Sequence, residues 1–239
     1  VQTCALPISI SSLGEMDFIK GFFIAAKGIP QTLLVSLFAL ILGILFGLIL
    51  ALVRTSRSKV LRFLTGLYIE IVRGTPMVVQ ALVMAYGIPA LIQSYGLGFK
   101  WAMLVIPAML VCGLNSAAYM AEVIRGGLQA VDPGQIEAAQ SLGMTKGQIT
   151  RLIVLPQAIR IVIPSFGNEF VTMIKETAVL SFVGVTEILR SAQLWQAATY
   201  NTFPAYIGAA GVYLCLTFPL SRLVTKRSEE RRVGKECRS

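Results

Sequence analysis

The chain has 239 residues, of which 55% are hydrophobic and only 14% charged, and its mean hydropathy is +0.73. A soluble domain carries about 25% charged residues, so this composition excludes a water-soluble globular protein. Several apolar runs reach the roughly 20 residues that a spanning helix needs, and the expected fold class is an all-α integral membrane protein. The formal charge of +9 then becomes a question of which side of the bilayer the Lys and Arg residues occupy, and it calls for no nucleic-acid partner.

The two ends look foreign to such a protein. Val1–Ile8 and Arg227–Ser239 resemble in-frame translations of sequencing-adapter DNA; both are expected to be artefacts, which leaves residues 9–226 as the membrane domain. Without them the remaining cysteines are Cys112 and Cys215. Each lies inside an apolar run, which argues against a disulfide or metal framework.

Ser9–Ile29 is mildly amphipathic and reads as an interfacial lead-in or as part of a first helix. Residues from Gly28 to Val53 carry no charge, so the first span is expected at about 32–53; Gly43 and Gly47, four apart on one face of it, suit a close helix contact, although in an apolar helix such a pair is more often a chance match. Arg54, Arg57, Lys59 and Arg62 come immediately after and mark the cytoplasmic side, which places the N-terminus outside. The second span, about 61–90, holds Glu70 and Arg73, spaced to pair on one helix face, and then Gly74-Thr75-Pro76. That tripeptide predicts either one long kinked span or two shorter segments.

Residues 87–100 read as an outside loop, and the third span is expected at about 101–121 with Trp101 at the interface. Asn115, Tyr119 and Glu122 form a polar stripe turned toward the protein interior, and Glu122 and Arg125 are spaced to pair. The fourth span, about 157–182, is interrupted by Pro164, Asn168, Glu169, Lys175 and Glu176; ionisable residues inside a span are expensive and mark function or a buried pairing network. Residues 184–201 read as a polar outside loop. The fifth span, about 203–220, ends at Arg222 and Lys226 and puts the C-terminus in the cytoplasm.

Between the third and fourth spans lies a well-punctuated polar stretch, 132–156. Asp132 and Pro133 open a short helix with Gln135 placed for a capping box, and Gly143 stops it. Thr145 and Gln148 open a second short helix that Pro156 ends or bends. The same pattern suits a DNA-reading helix-turn-helix. Tethered at both ends within a few residues of the bilayer, however, such a helix could not enter a major groove freely.

The chain has no His, no clustered Cys, no nucleophile elbow and no phosphate-cradling glycine loop, so its chemistry favours a conduit over an enzyme. What remains is the intramembrane polar set. Glu169 and Glu176 share a helix face and are candidates to hold a substrate ammonium or cationic side chain, with Asn168 and Thr172 as hydrogen-bonding partners. Glu70, Arg73, Asn115 and Lys175 are candidates for structural or gating roles.

Glu137-Ala138-Ala139, Gly143 and Ile153-Val154-Leu155-Pro156 match the pattern E-A-A-x3-G-x9-I-x-L-P without a gap. This resembles the EAA loop of permease subunits in binding-protein-dependent ABC importers. Residues 68–76, 118–127 and 168–177 look like the polar amino acid branch of that family. The resemblance implies five transmembrane helices with a cytoplasmic coupling-helix loop between helices 3 and 4, and a homo- or heterodimer of permeases in membrane lipid. It further implies two ABC ATPase subunits, an extracytoplasmic solute-binding protein and a bacterial inner-membrane location. No cofactor is expected in this chain, because ATP and Mg would bind the partner ATPase. Glu137, Ala138, Ala139, Gly143, Ile153 and Pro156 would couple the permease to that ATPase. Thr177-Ala178-Val179 departs from the family's usual Thr-Ser-Leu. The expected function is ATP-driven import of a polar amino acid. The alternatives are another small polar solute, such as an opine or a sulfur amino acid, or a stand-alone secondary transporter or channel.

Overall fold

The computed structural model describes residues 15–56 and 58–236; the expected foreign leader (1–8) and Arg57 lie outside them. Every regular element among the described residues is helical. Among the described residues five stretches are long and apolar enough to cross a bilayer: Asp17–Arg54, Met77–Ser94, Val105–Gln129, Lys146–Val183 and Thr202–Lys226.

The lead-in is helical. α1 (Glu15–Ala26) passes through a turn at Lys27–Gly28 into α2 (Ile29–Arg54). Gly28 is small because it must be: a Cβ there would run into the Glu187–Ile188 peptide. The buried stripe of α2 is made of small residues, from Thr32, Ser36 and Ala39 to Gly43, Gly47 and Ala51. It presses on α6 (Val105–Gln129), where a Cβ on Gly47 would fall 2.6 Å from the Met120 Cβ. Of the two readings of the glycine pair, the close contact is the one formed, and it joins the first and third spans.

Residues 61–90 form two segments rather than one kinked helix. α3 (Lys59–Gly74) stops where Thr75 and Pro76 are both extended, because proline pushes the residue before it out of the helical region. The spanning segment is α4 (Met77–Leu82), a π-helical turn (Val83–Gly87) and α5 (Ile88–Ser94). Helix thus reaches into the expected outside loop. Trp101 is not in the third span, which starts at Val105; its indole N–H donates to the Met84 carbonyl at 2.9 Å and pins the connecting loop to the π turn.

The 132–156 stretch folds as α7 (Pro133–Ser141), a glycine turn and α8 (Lys146–Ile149). Pro156 neither ends nor breaks the helix that α8 begins. A π-helical turn (Thr150–Val154) precedes Leu155-Pro156, and α9 (Leu155–Glu176) continues into a 3-10 turn (Thr177–Val183), so helix is unbroken from Lys146 to Val183. Proline lacks the N–H and crowds the carbonyl four residues back, and the wider π turn removes that conflict. The second span solves the Ile88-Pro89 step in the same way.

The expected outside loop at 184–201 contains α10 (Ile188–Thr199), whose Ile188 and Ala192 are buried with Ala25, Ala205, Ala209 and Val212. α11 (Thr202–Glu236) closes the bundle against α1 and α9.

Candidate functional site

Glu169, Thr172 and Glu176 lie along one half-buried face of α9, whereas Asn168 and Lys175 project from it and are exposed. The Ser116 hydroxyl, from the heart of α6, donates to Glu169 Oε1 at 3.0 Å. Oε2 of Glu176 is buried with no hydrogen-bond partner. No ion pair joins Lys175 to either carboxylate among the described residues, so the expected pairing network is not formed there. A carboxylate withdrawn from water and left without a cation is costly, and such a group is at its most useful when a cationic ligand arrives.

Asn115 is buried, as the stripe reading expects, and its amide donates to Gln80 Oε1 at 3.2 Å. Gln80 in turn donates to the Val72 carbonyl at 2.8 Å and to the Thr75 hydroxyl at 2.8 Å. One glutamine on α4 therefore satisfies the backbone that the α3–α4 break leaves open and ties it to α6. Sequence reasoning does not single out Gln80; only its position one turn after Thr-Pro hints at the role.

Tyr119 and Glu122, the rest of the stripe, open instead onto a cleft of about 440 Å³ with Arg54, Glu70 and Arg73. The expected Glu70–Arg73 pair is not made: the Arg73 guanidinium sits over the Tyr119 ring, 5.1 Å from its centre. The expected Glu122–Arg125 pair is made, with Arg125 Nε donating to Oε2 at 3.1 Å, and Arg54 from α2 donates to the other carboxylate oxygen.

The hairpin stands at the same end of the bundle. Asp132 caps α7 by accepting from the Gly134 N–H at 2.9 Å, and Gly143 takes a left-handed φ of +76°. The Thr145–Gln148 capping box is formed in both directions, the Thr145 N–H donating at 2.8 Å to Gln148 and the Gln148 N–H to the threonine hydroxyl. Gln135 makes no capping box; its carbonyl accepts from Gln157 at 2.6 Å and laces α7 to the start of α9. Ala139 is buried and Ile153 half-buried, while Glu137, Ala138 and Pro156 face outward. The most exposed large hydrophobic side chain of the hairpin is Leu142, at 83% of its full surface, one step before the glycine. Sequence reasoning does not single it out, because it occupies a variable position of the pattern.

Among the described residues no group of metal-ligating side chains comes together. The family model for the binding-protein-dependent transport system inner membrane component matches residues 43–226. The nopaline transport system permease protein NocM of Agrobacterium fabrum is 36% identical over 209 residues, covering 86% of this chain and 87% of that protein. The arginine transport system permease protein ArtQ of Bacillus subtilis is 35% identical over 199 residues, covering 82% and 86%. A solved structure described as an amino acid ABC transporter with histidines superposes with a TM-score of 0.83 at 36% identity, over 91% of this chain and 99% of that one.

Proposed function

The chain belongs to the family of binding-protein-dependent transport system inner membrane components, and on that premise we propose that it carries a polar amino acid past the α9 carboxylates. As a member it is the multi-pass inner-membrane permease of an ABC importer, served by a separate ATPase subunit and a solute-binding protein. The observation that carries the substrate reading is the Glu176 carboxylate oxygen, buried without a partner on the helix that also presents Glu169. An α-ammonium or a cationic side chain supplies the charge this face lacks, with Thr172 beside it and Asn168 at its exposed edge.

Coupling runs along the same helix. Lys146 to Glu169 spans roughly 35 Å of helix at 1.5 Å per residue, without a break at Pro156. A push on the hairpin is therefore delivered as a rigid-body movement of the carboxylates. Glu137, Ala138 and Leu142 are the docking face toward the ATPase; Ala139 and Ile153 seat the hairpin, Pro156 stands where it joins α9, and Gly143 sets its turn. ATP and Mg bind the ATPase. Two permeases, identical or different, pair with two ATPases, with the hairpin and the C-terminus in the cytoplasm and the N-terminus outside. Asn115 and the Glu70–Arg73 cleft hold the α3–α4 break in place as the bundle rocks.

Uptake of labelled amino acids into vesicles holding the whole importer tests this. Glu176→Gln is expected to raise the half-saturating concentration at least tenfold with the ATPase still bound; unchanged affinity and rate in Glu169→Gln and Glu176→Gln would refute it. A second reading, import of an opine, is favoured by the likeness to the nopaline permease, and the same vesicles separate the two by competition.

A further inference from the structure

Beside the α2–α6 contact, at the hairpin end of the bundle, lies a second cleft of about 410 Å³ lined by Arg54, Lys59, Arg62, Phe63 and Arg125. Four of its five lining residues are cations. The carboxylate of Glu122, which reaches Arg54 and Arg125, is the acidic group that faces them. Lys59 and Arg62 make no ion pair among the described residues. The cleft thus keeps a surplus of positive charge that the protein does not neutralise.

Its surroundings are apolar. Val60, Phe63 and Leu64 of α3 are more than half exposed, and they stand on the same helix as the two unpaired cations. Helices that mix basic and large apolar side chains in this way lie at the membrane boundary, with the charges at headgroup level and the apolar groups among the acyl chains. Arg54 is the last residue of the first span and Arg125 lies one turn from the end of the third, so the cleft sits where the headgroups begin.

We propose that this cleft binds the phosphate of an anionic phospholipid in the leaflet facing the hairpin, with Lys59 and Arg62 on the phosphate and Phe63 against the glycerol and upper acyl chain. Basic pockets between spans on that side suit such headgroups. The charge complementarity belongs to any phosphate, but the apolar rim fits only one that carries chains.

The test uses the permease–ATPase complex in nanodiscs of equimolar phosphatidylglycerol and phosphatidylcholine, released for native mass spectrometry. Wild type is expected to retain phosphatidylglycerol in preference to phosphatidylcholine. Lys59→Gln/Arg62→Gln is expected to weaken that retention about 25-fold, from about fivefold per cation at an anionic surface. Lys100→Gln/Arg190→Gln removes the same charge at the other end of the bundle and is expected to leave retention intact, as is the charge-keeping Lys59→Arg/Arg62→Lys. Should the double Gln variant not assemble, Lys59→Gln alone is expected to show the fivefold loss. Equal retention of the two lipids, equal loss in both charge-removing pairs, or displacement of the lipid by inorganic phosphate would each overturn the proposal.

Discussion

Glu187 is the clearest place to test how this bundle holds its polar atoms. The side chain is completely buried at the start of α10. Its carboxylate accepts from the N–H groups of Leu189 at 2.8 Å and Arg190 at 2.6 Å, and from the Tyr213 hydroxyl of α11 at 2.6 Å. Glu187→Ala removes a helix cap worth about 1–2 kcal/mol and leaves the tyrosine hydroxyl unsatisfied at about 1–3 kcal/mol. The expected loss is about 3–5 kcal/mol once the emptied volume is added. Equilibrium unfolding of the purified permease in mixed micelles measures it, and Tyr213→Phe completes a double-mutant cycle expected to show a coupling of about 1–3 kcal/mol. Burial pushes the Glu187 carboxyl above the usual carboxylate range, against the pull of Tyr213 and the two N–H donors. A raised folded value means that the folded state holds the proton more tightly. That contribution is full below the ordinary Glu value of about 4.3 and is lost as pH rises through the folded one. The advantage of wild type over Glu187→Gln should therefore shrink as pH is raised from that value. A Glu187→Ala variant within about 0.5 kcal/mol of wild type would place it among ordinary surface changes and refute the reasoning.

The packing and the hairpin give three further expected outcomes. Gly47→Ala puts a methyl 2.6 Å from the Met120 Cβ and should cost about 1–3 kcal/mol by overpacking; thermal melting in detergent reads it, and a neutral result would mean that α2 and α6 are looser than they look. Gly143→Ala forces a side chain into φ +76° at about 1–2 kcal/mol, so uptake should fall while membrane insertion is normal. Leu142→Asp buries no charge in the permease, because Leu142 is exposed; it should leave permease stability unchanged and abolish co-purification with the ATPase, and retained binding would remove Leu142 from the docking face.

What the sequence makes legible is mostly local. The Thr145–Gln148 box, the Asp132 cap, the left-handed Gly143 and the stop at Thr75-Pro76 each depend on neighbours within a few positions, and each is present. The close approach at Gly43 and Gly47 is readable because only small residues let two helices touch. The failures are tertiary. Residues 184–201 are polar enough to read as a loop, yet α10 forms because a buried carboxylate and Tyr213 complete its first turn. Arg73 and Glu70 are spaced to pair, but the Tyr119 ring from another span competes for the guanidinium. Gln80 declares nothing by itself and Gln135 declares a capping box that it does not make; the partners of both lie on other elements.

Proline shows how a local conflict can be real without ending a helix. By the local rule Pro156 ends or bends the helix, and the conflict it creates is real. The chain answers it by widening the preceding turn at Thr150–Val154, as it does before Pro89 at Val83–Gly87. The consequence bears on the proposed coupling. A helix stopped at Pro156 would leave a flexible joint between hairpin and membrane, and ATPase movement would be absorbed there. The π turn carries the helix past the proline without a break, and under the proposed coupling α8 and the Glu169–Glu176 face would move as one lever, with α7 laced to it through Gln135. Under that proposal Pro156→Ala would be mild for transport, since the helix is already continuous with the proline in place, whereas a glycine pair at Thr150–Arg151 would soften the lever and uncouple ATP hydrolysis from uptake.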